Sequence, residues 1–409
     1  MKKIKKLGVI TCILFTIFGL TACLERTELN KLGIVSGIGI DKSEDTYTLT
    51  VQILNPSAVS GESQNALPVY NLKASGDSIH EAFSRVGQIT SSALYLSHLN
   101  VIVINEEFAE AGFAPLLNFA LRHAEIRPDI SIVVAKDSDA SEILSVVTAL
   151  DTIPAAQMNV GAKVGSHTSR QADFNFYEVV DMVNCDNMNL VLNAVSIHRE
   201  NEHSNDSVAH KNGINHEENQ NGSTVDNILD ITVPVQLRIK HLAVFQGENL
   251  VGFLDDYEAQ FYNMMLGENK RYVFVNKTDD GYYTSVRIPS VDTSITTDIK
   301  NNEATITMNL SAVILENTYP IDLTNTQNLS VMASQVEEHL TTDMKAFVER
   351  IQTELKSDIL GIGGQAYYKE HKEWKAVAGY WQDIFPDITI HLDVNVEIDS
   401  VGEIGNVTL

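Results

Sequence analysis

An apolar stripe runs along residues 329–355 and constrains the architecture of the last third of the chain. Apolar side chains recur every three or four residues over about seven turns, which predicts one long amphipathic helix. Such a helix must bury its stripe against another layer. Strand-like segments precede it, so we expect the helix to cover an antiparallel sheet. The residues of the stripe are Leu329, Met332, Val336, Leu340, Met344, Phe347, Val348, Ile351 and Leu355.

The first half of the chain alternates between strand-like and helix-like segments. Residues 33–40 (GIVSGIGI) and 47–54 (YTLTVQIL) predict a hairpin around the polar turn at 41–45. Helices and strands then alternate, which favours a mixed α/β domain, and the whole chain is predicted to be a multidomain α+β protein whose mixed and antiparallel sheets are covered by helices. The predicted helices span 78–89, 106–111, 113–121, 138–150 and 174–183, and the strands between them span 98–104, 128–135 and 190–197.

Residues 199–227 differ in composition from the rest of the chain. They are rich in Asn, Glu, His, Ser and Gly and nearly free of apolar side chains, which predicts a flexible insertion. Four histidines lie in or beside it, but their spacings of five, seven and six residues fit no helix face and no zinc pattern. We therefore predict no metal site. These histidines are His198, His203, His210 and His216.

Changes in pattern divide the chain into five parts. The predicted parts are a signal peptide (1–22), an N-terminal α/β domain (23–198), the insertion (199–227), a small middle domain (228–267) and a C-terminal α+β domain (268–409). The middle domain is defined by two strands around a Gln-Gly-Glu turn and a helix over 255–266.

The N-terminus has the pattern of an export signal. Four lysines within the first six residues precede an apolar run over 7–20, which is short for a permanent membrane span. The run ends in Leu20-Thr21-Ala22-Cys23, a string that resembles a bacterial lipobox. Cleavage before Cys23 and acylation there would supply two or three acyl chains, at about 0.8 kcal/mol for each buried CH₂. The alternatives are a secretory signal in which Cys23 is incidental, or an uncleaved anchor helix.

Charge and cysteine content exclude several classes of protein. The chain has 54 acidic against 29 basic residues and a formal net charge of −25, which excludes a nucleic-acid backbone as partner because phosphates require a basic face. The three cysteines, Cys12, Cys23 and Cys185, exclude a disulfide scaffold. After cleavage Cys185 is the only thiol besides Cys23, and we expect it to be buried and inert.

A search for catalytic motifs predicts no enzyme, no catalytic residue and no cofactor. The sequence has no GxSxG, P-loop or HExxH motif. The glycines at 33, 37 and 39 precede a strand rather than the helix that phosphate binding requires, and the glycines of DILGIGG (358–364) favour a turn between helices. His123 with Glu125 is a weak candidate for acid–base chemistry. Arg122, Glu125 and Arg127 more simply form a salt-bridged helix end.

Three blocks of sequence resemble one known family. Residues 23–41 (CLERTELNKLGIVSGIGID) resemble the opening of the Ger(x)C family, the lipoprotein C-subunits of spore germinant receptors, although Leu24 replaces the family's usual tryptophan. Residues 118–136 are similar to its Arg-x-x-Glu-x-Arg segment, here Arg122, Glu125 and Arg127. Residues 358–386 are similar to its Asp-x-x-Gly-x-Gly pattern, followed by Trp374 and by Trp381. The usual proline before the first tryptophan is absent.

The resemblance implies a non-enzymatic receptor subunit that is held on the outer face of the spore inner membrane. It implies two integral partners, an A-subunit with a large soluble portion and a transporter-like B-subunit. Cys23 would carry the lipid. The candidate structural or interface residues are Glu28, Arg122, Glu125, Arg127, Trp374 and Trp381.

Three alternatives stay open at the level of sequence. The two tryptophans, seven residues apart, are either packed in the core or anchor an interface. A solute-binding lipoprotein of an importer requires two doubly wound lobes around a cleft, which the strand run followed by one long helix disfavours. A lipid-tethered hydrolase requires a perturbed carboxylate pair or a metal in a deep pocket.

Overall fold

The structure of the protein is a computed structural model that describes residues 32–55, 58, 67–146, 153–164, 169–172, 174–184, 188–199, 235–268, 271–277 and 280–400. It is an α+β fold built on two sheets, as the sequence predicts. The predicted signal peptide, Cys23, Glu28, Cys185 and all but the first residue of the 199–227 insertion lie outside the described residues.

The larger sheet has nine strands in the order β3-β2-β1-β5-β6-β7-β8-β9, with β4 paired to β1. Its centre, β1-β5-β6-β7, is parallel, and antiparallel hairpins extend it at both sides. Parallel neighbours require crossover connections, which the helices between them supply. The strands are Leu32–Ser43, Thr46–Leu54, Val69–Gly76, Ala93–Tyr95, Val101–Asn105, Ser131–Ala135, Val191–Arg199, Val235–Gln246 and Asn249–Leu254.

Helices cover both faces of this sheet. The helices α1, α2, α3 and α6 pack on one face, and α4 and α5 pack on the other. The predicted helix over 138–150 is described only as far as residue 146, and within that range it is the short α4. Helix α5 has no counterpart among the predicted helices. These helices are α1 (Ile79–Ile89), α2 (Glu106–Ala111), α3 (Ala114–Arg122), α4 (Ala140–Ile143), α5 (Pro154–Val164) and α6 (Phe176–Val183).

The smaller sheet has four strands in sequence order, namely β10 (Tyr272–Lys277), β11 (Tyr283–Asp298), β12 (Glu303–Asn317) and β13 (Thr389–Ser400). Its first three strands are antiparallel, as predicted, but β13 pairs parallel to β12. The difference follows from the connection, because the long helix carries the chain back along the sheet before β13 begins. Strand β11 is continuous but has irregularities in its register with β12, between Ser285 and Val286 and between Arg287 and Ser290.

The long helix α8 (Thr326–Thr353) buries its stripe against this sheet, as predicted. Asn325 caps its N-terminus by accepting a hydrogen bond from the backbone N–H of Gln327, so the helix begins three residues before the stripe. Three short helices follow it and return the chain to β13. They are α9 (Ile362–Lys369), α10 (His371–Val377) and α11 (Trp381–Ile384).

One hydrophobic core joins the two sheets. Leu242, Val244 and Leu254 of the nine-stranded sheet contribute to the same cluster as the four-stranded sheet and α8. Helix α7 (Asp256–Met265) lies in this cluster, where Phe261 stacks on Phe274 at 5.8 Å between ring centroids.

The residues predicted to form a middle domain are therefore divided between the two sheets. Strands β8 and β9 complete the large sheet, because unpaired strand edges require partners, and α7 joins the shared core. This arrangement also differs from two doubly wound lobes around a cleft, the architecture required of an importer's solute-binding protein.

Candidate functional site

A buried carboxylate lies at the centre of the third sequence block. Asp358 is 2% exposed. Its Oδ1 accepts a hydrogen bond from the backbone N–H of Ile362 at 3.0 Å, and its Oδ2 accepts bonds from the N–H of Gly363 at 2.7 Å and from Nε1 of Trp381 at 2.9 Å. Burial raises the pKa of the Asp358 carboxyl, while these donors oppose the shift. The carboxylate thus joins the start of α9 to α11.

Both tryptophans are core residues. Trp374 is 4% exposed and Trp381 3%, and their rings meet edge to face at 4.9 Å between centroids. Gly363 lies against both rings, since a Cβ there would lie 2.6 Å from Nε1 of Trp381 and 2.8 Å from Cη2 of Trp374. These positions favour the core-packing alternative over an interface anchor.

The glycines of the Asp-x-x-Gly-x-Gly segment each have a structural reason. Gly361 precedes α9 with a φ of 70°, in the left-handed region that favours glycine. Gly363 leaves room for the indole rings. Residues 358–361 form the predicted turn between α8 and α9, whereas Gly363 and Gly364 lie inside α9.

A second buried carboxylate ends the first sequence block. Asp41 is 8% exposed, and its two oxygens accept hydrogen bonds from the backbone N–H groups of Ala140 at 2.6 Å and Ser141 at 3.2 Å. Burial raises the pKa of the Asp41 carboxyl, and the two amide donors oppose this. Asp41 therefore ties β1 to the start of α4, 99 residues further along the chain.

The glycines of β1 serve close packing. A Cβ at Gly37 would lie 2.8 Å from Cβ of Ala155, and one at Gly39 would lie 3.1 Å from a methyl of Leu144. The residues lie inside a strand that is paired on both sides. Their absent side chains let α4 and α5 approach the sheet, which agrees with the packing interpretation rather than with a phosphate-binding loop.

The second sequence block forms different contacts from those predicted. Helix α3 ends at Arg122, so Glu125 and Arg127 lie beyond the helix and lose helical spacing. Glu125 accepts a hydrogen bond from the backbone N–H of Leu96 at 3.0 Å. Arg127 pairs instead with Asp129 at 2.8 Å, on the exposed surface. The predicted salt-bridged helix end is thus replaced by a backbone contact and a local ion pair.

The described surface has a cavity at the second sequence block and a separate open cleft. Arg122 and His123 line a cavity of about 310 Å³ beside the N-terminus of α1. The rings of His80 and His123 lie 5.6 Å apart there, and Nδ1 of His123 lies 2.8 Å from the carbonyl oxygen of Phe119. An open cleft of about 750 Å³ is lined by polar residues that include Asn71 and Lys73.

Several predicted residues lie outside the described residues, namely Cys23, Glu28, Cys185, His203, His210 and His216. His198 lies on β7 and pairs with Gln236 in the strand ladder. In the part of the chain that the structure describes, no three His, Cys, Asp or Glu side chains are grouped as for a metal ion. The helices described there include none that is long and apolar enough to cross a membrane.

The predicted site residues did not include the two carboxylates that organise the structure. Asp41 follows the apolar strand over 33–40, and Asp358 precedes two glycines at fixed spacing. That combination of an acid and glycines before a helix is the signal for backbone capping, and it was available in the sequence.

Comparison with known proteins assigns the chain to a class. Residues 25–197 match the model of the spore germination protein N-terminal domain, and residues 240–402 match that of the spore germination B3/GerAC-like C-terminal domain. The chain is 25% identical to spore germination protein KC of Bacillus subtilis (strain 168), over 98% of this chain and 97% of that protein. It is 22% identical to spore germination protein B3 of the same strain, over 99% and 100%.

A solved structure has the same fold. The crystal structure of the GerBC protein matches with a TM-score of 0.51 and 19% identity, over 89% of this chain and 97% of that chain. The fold and the two domain matches define a spore germination protein. The chain belongs to the Ger(x)C family, the C-subunits of spore germinant receptors.

Proposed function

We propose that this chain is a lipid-anchored, non-catalytic subunit of a nutrient germinant receptor. Acyl chains on Cys23 hold it on the outer face of the spore inner membrane. There it acts with an A-type and a B-type integral subunit in receptor assembly and in the signalling that starts germination. The observation that carries the proposal is the match to both family domains, over 25–197 and 240–402, directly behind the string at 20–23 that resembles a lipobox.

The use of the motif residues supports a non-catalytic role. Asp41 and Asp358 are buried, and their carboxylate oxygens accept hydrogen bonds from backbone and indole N–H groups. Trp374 and Trp381 fill the core. A catalytic group must reach a substrate, whereas these side chains hold helices in place.

The lipid anchor supports the assembly role. A protein confined to a membrane surface meets integral partners at high effective concentration, so that weak contacts suffice to hold a complex together. This mechanism requires no enzymatic step and no bound cofactor.

Replacement of the acylated cysteine tests the anchor. We expect Cys23→Ala to release the protein from the membrane fraction and to slow nutrient-triggered germination. Cys12→Ala, in the apolar part of the signal, is the matched control and should leave both unchanged. Normal germination of Cys23→Ala spores at a normal protein level, or an unmodified Cys23 in mass spectra of the mature protein, would contradict the proposal.

Co-purification tests the partners. A tagged chain extracted from spore inner membrane should bring along one integral subunit with a large soluble portion and one transporter-like subunit, identified by mass spectrometry. Recovery of the chain without integral partners, together with retention of a sugar or amino acid, would favour an importer's solute-binding protein instead.

A further inference from the structure

Helices α9 and α10 present a surface that is basic and aromatic in an otherwise acidic protein. In residues 367–375 (YYKEHKEWK), every strongly exposed side chain is aromatic or basic. We call this surface the Tyr–Lys face. Its rings are continuous, since Tyr367 lies 5.2 Å from Tyr368 and 5.3 Å from His371 between centroids. The residues of the Tyr–Lys face are Tyr367, Tyr368, Lys369, His371, Lys372 and Lys375.

The two carboxylates of this segment bond to the turn between β11 and β12. Glu370 accepts hydrogen bonds from Oγ1 of Thr297 and from the backbone N–H of Ile299. Glu373 pairs with Lys300 at 3.3 Å. Both acids bond to the turn between β11 and β12, and three lysines against two carboxylates leave the segment with a net positive charge.

The two lysines of α10 project toward the same external surface. Lys372 and Lys375 are three residues apart on α10, so they project from the same side of the helix. Trp374, between them in sequence, is buried and fixes the orientation of α10. Lys369, on α9, donates a hydrogen bond to the carbonyl oxygen of Ile295 at 3.1 Å.

Both tyrosines of this face are strongly exposed to solvent. Tyr368 is 78% exposed and Tyr367 40%. Tyrosine combines an apolar ring with a polar hydroxyl, which suits the boundary between water and lipid. Lysine and tyrosine together are the side chains found where proteins meet membrane headgroups.

We infer that the Tyr–Lys face lies against an anionic lipid surface and orients the protein there. The inference rests on the proposed lipid anchor, since acyl chains at one residue fix a protein to a membrane but leave its orientation free. Charge complementarity identifies the occupant: the chain has a formal net charge of −25, and this basic face would be attracted to phosphate headgroups.

The acidic remainder of the protein does not prevent this contact. Charges farther from the membrane than about 8 Å are largely screened at physiological salt, so only the residues nearest the membrane contribute to the electrostatic interaction with it. A lysine at an anionic surface improves binding roughly fivefold, and three give on the order of 100-fold.

Vesicle binding of the unacylated mature chain tests the inference. We use residues 23–409 carrying Cys23→Ser and measure co-sedimentation with vesicles of phosphatidylcholine, with and without about 30% phosphatidylglycerol. The protein should bind the anionic vesicles and not the neutral ones. The triple variant K369Q/K372Q/K375Q should bind them at least tenfold more weakly, given roughly fivefold per lysine.

A matched triple variant controls for total charge. Lys277, Lys345 and Lys356 are exposed and lie on other parts of the fold, so K277Q/K345Q/K356Q removes the same charge elsewhere. Its binding should stay within about twofold of the parent, because distant charges are screened. Thermal melting of both triple variants verifies that they are folded.

A second variant tests the aromatic contribution. Y367S/Y368S keeps every lysine and should weaken binding several-fold. No binding to anionic vesicles, equal binding to neutral ones, or equal loss in the two triple variants would overturn the inference. The vesicle assay involves neither acyl chains nor partner subunits. A negative result would therefore contradict this inference alone, whereas the proposed function is tested separately by the germination of Cys23→Ala spores.

Discussion

At the scale of single residues, Asp358 organises the segment between α8 and β13. Its carboxylate accepts hydrogen bonds from two backbone N–H groups and one indole. Hydrogen bonds to a charged acceptor are stronger than neutral ones, and a buried donor without a partner is costly. The side chain thus stabilises a stretch that contains three short helices of four to eight residues.

Removal of this carboxylate is expected to be severely destabilising. Asp358→Ala leaves three buried donors without an acceptor, and we expect the free energy of unfolding to fall by about 3–5 kcal/mol. Trp381→Phe removes one donor and keeps an aromatic ring, so the loss should be about 1.5–3 kcal/mol. Urea denaturation measures both. A loss below about 1 kcal/mol for Asp358→Ala would show that the carboxylate does not hold these helices.

Two glycines give opposite predictions for the same substitution. Gly363→Ala places a methyl group against both indole rings and should cost about 1–3 kcal/mol. Gly87→Ala, in the interior of α1 with no atom within 4 Å of the new Cβ, should stabilise the protein by about 0.5–1 kcal/mol. Thermal unfolding of the two variants compares them directly. Equal effects would mean that the indole rings move aside freely.

At the scale of elements, Arg350 connects the long helix α8 to helix α7 and to strand β9 of the nine-stranded sheet. Its Nη1 lies 2.6 Å from Oε2 of Glu258 on α7, and its Nη2 donates to the carbonyl oxygen of Phe253 on β9 at 3.1 Å. Burial lowers the pKa of Arg350, but the bonds to Glu258 and Glu354 outweigh this and hold the pKa above its usual value. The charged pair therefore fixes α8 against the strand that ends the nine-stranded sheet.

A double-mutant cycle should measure this connection. Arg350→Met and Glu258→Gln should show a coupling of about 1–2 kcal/mol, because the side chains are only 31% and 18% exposed. The pair Arg85–Glu81 has the same 2.6 Å separation but is 52% and 40% exposed, so its coupling should be about 0.3–0.5 kcal/mol. Equal couplings in urea denaturation would show that burial adds nothing at Arg350.

At the scale of the whole molecule, the connection over 200–234 joins two strands that are already paired. Arg199 is the last residue of β7 and lies opposite Val235, the first of β8. The predicted insertion thus begins one residue too early, because pairing with β8 extends β7 through Arg199. The strand pairing brings the two ends of the connection together whatever its length.

Deletion of residues 201–227 should therefore change the melting temperature by less than about 2 °C, since the cost of closing a loop depends only weakly on its length. Eight residues remain to join strand ends that lie side by side. Differential scanning calorimetry measures the effect. A loss of several degrees would mean that the deleted residues pack on the fold. Germination of spores that carry the deletion would then show whether this packing matters for function.

The sequence by itself determined the local elements. The alternation at 47–54 predicts a strand and the stripe at 329–355 predicts a long helix, because each pattern has the period of its element. The predicted single buried face of the strand is wrong, since Leu49–Ile53 are buried on both faces between the helices that cover the sheet. The turn glycines of 358–364 were also local, since Gly361 must adopt a positive φ. The family resemblance rested on the same short strings of residues.

Only the tertiary structure decided how distant segments meet. The parallel pairing of β13 with β12, the addition of β8 and β9 to the large sheet, and the contact of Asp41 with α4 each join residues far apart in the chain. Glu125 likewise accepts a hydrogen bond from Leu96, 29 residues away, because α3 ends at Arg122. Periodicity states which face of an element is apolar, but the partner that covers this face follows from packing of the whole chain, where many arrangements satisfy the same pattern.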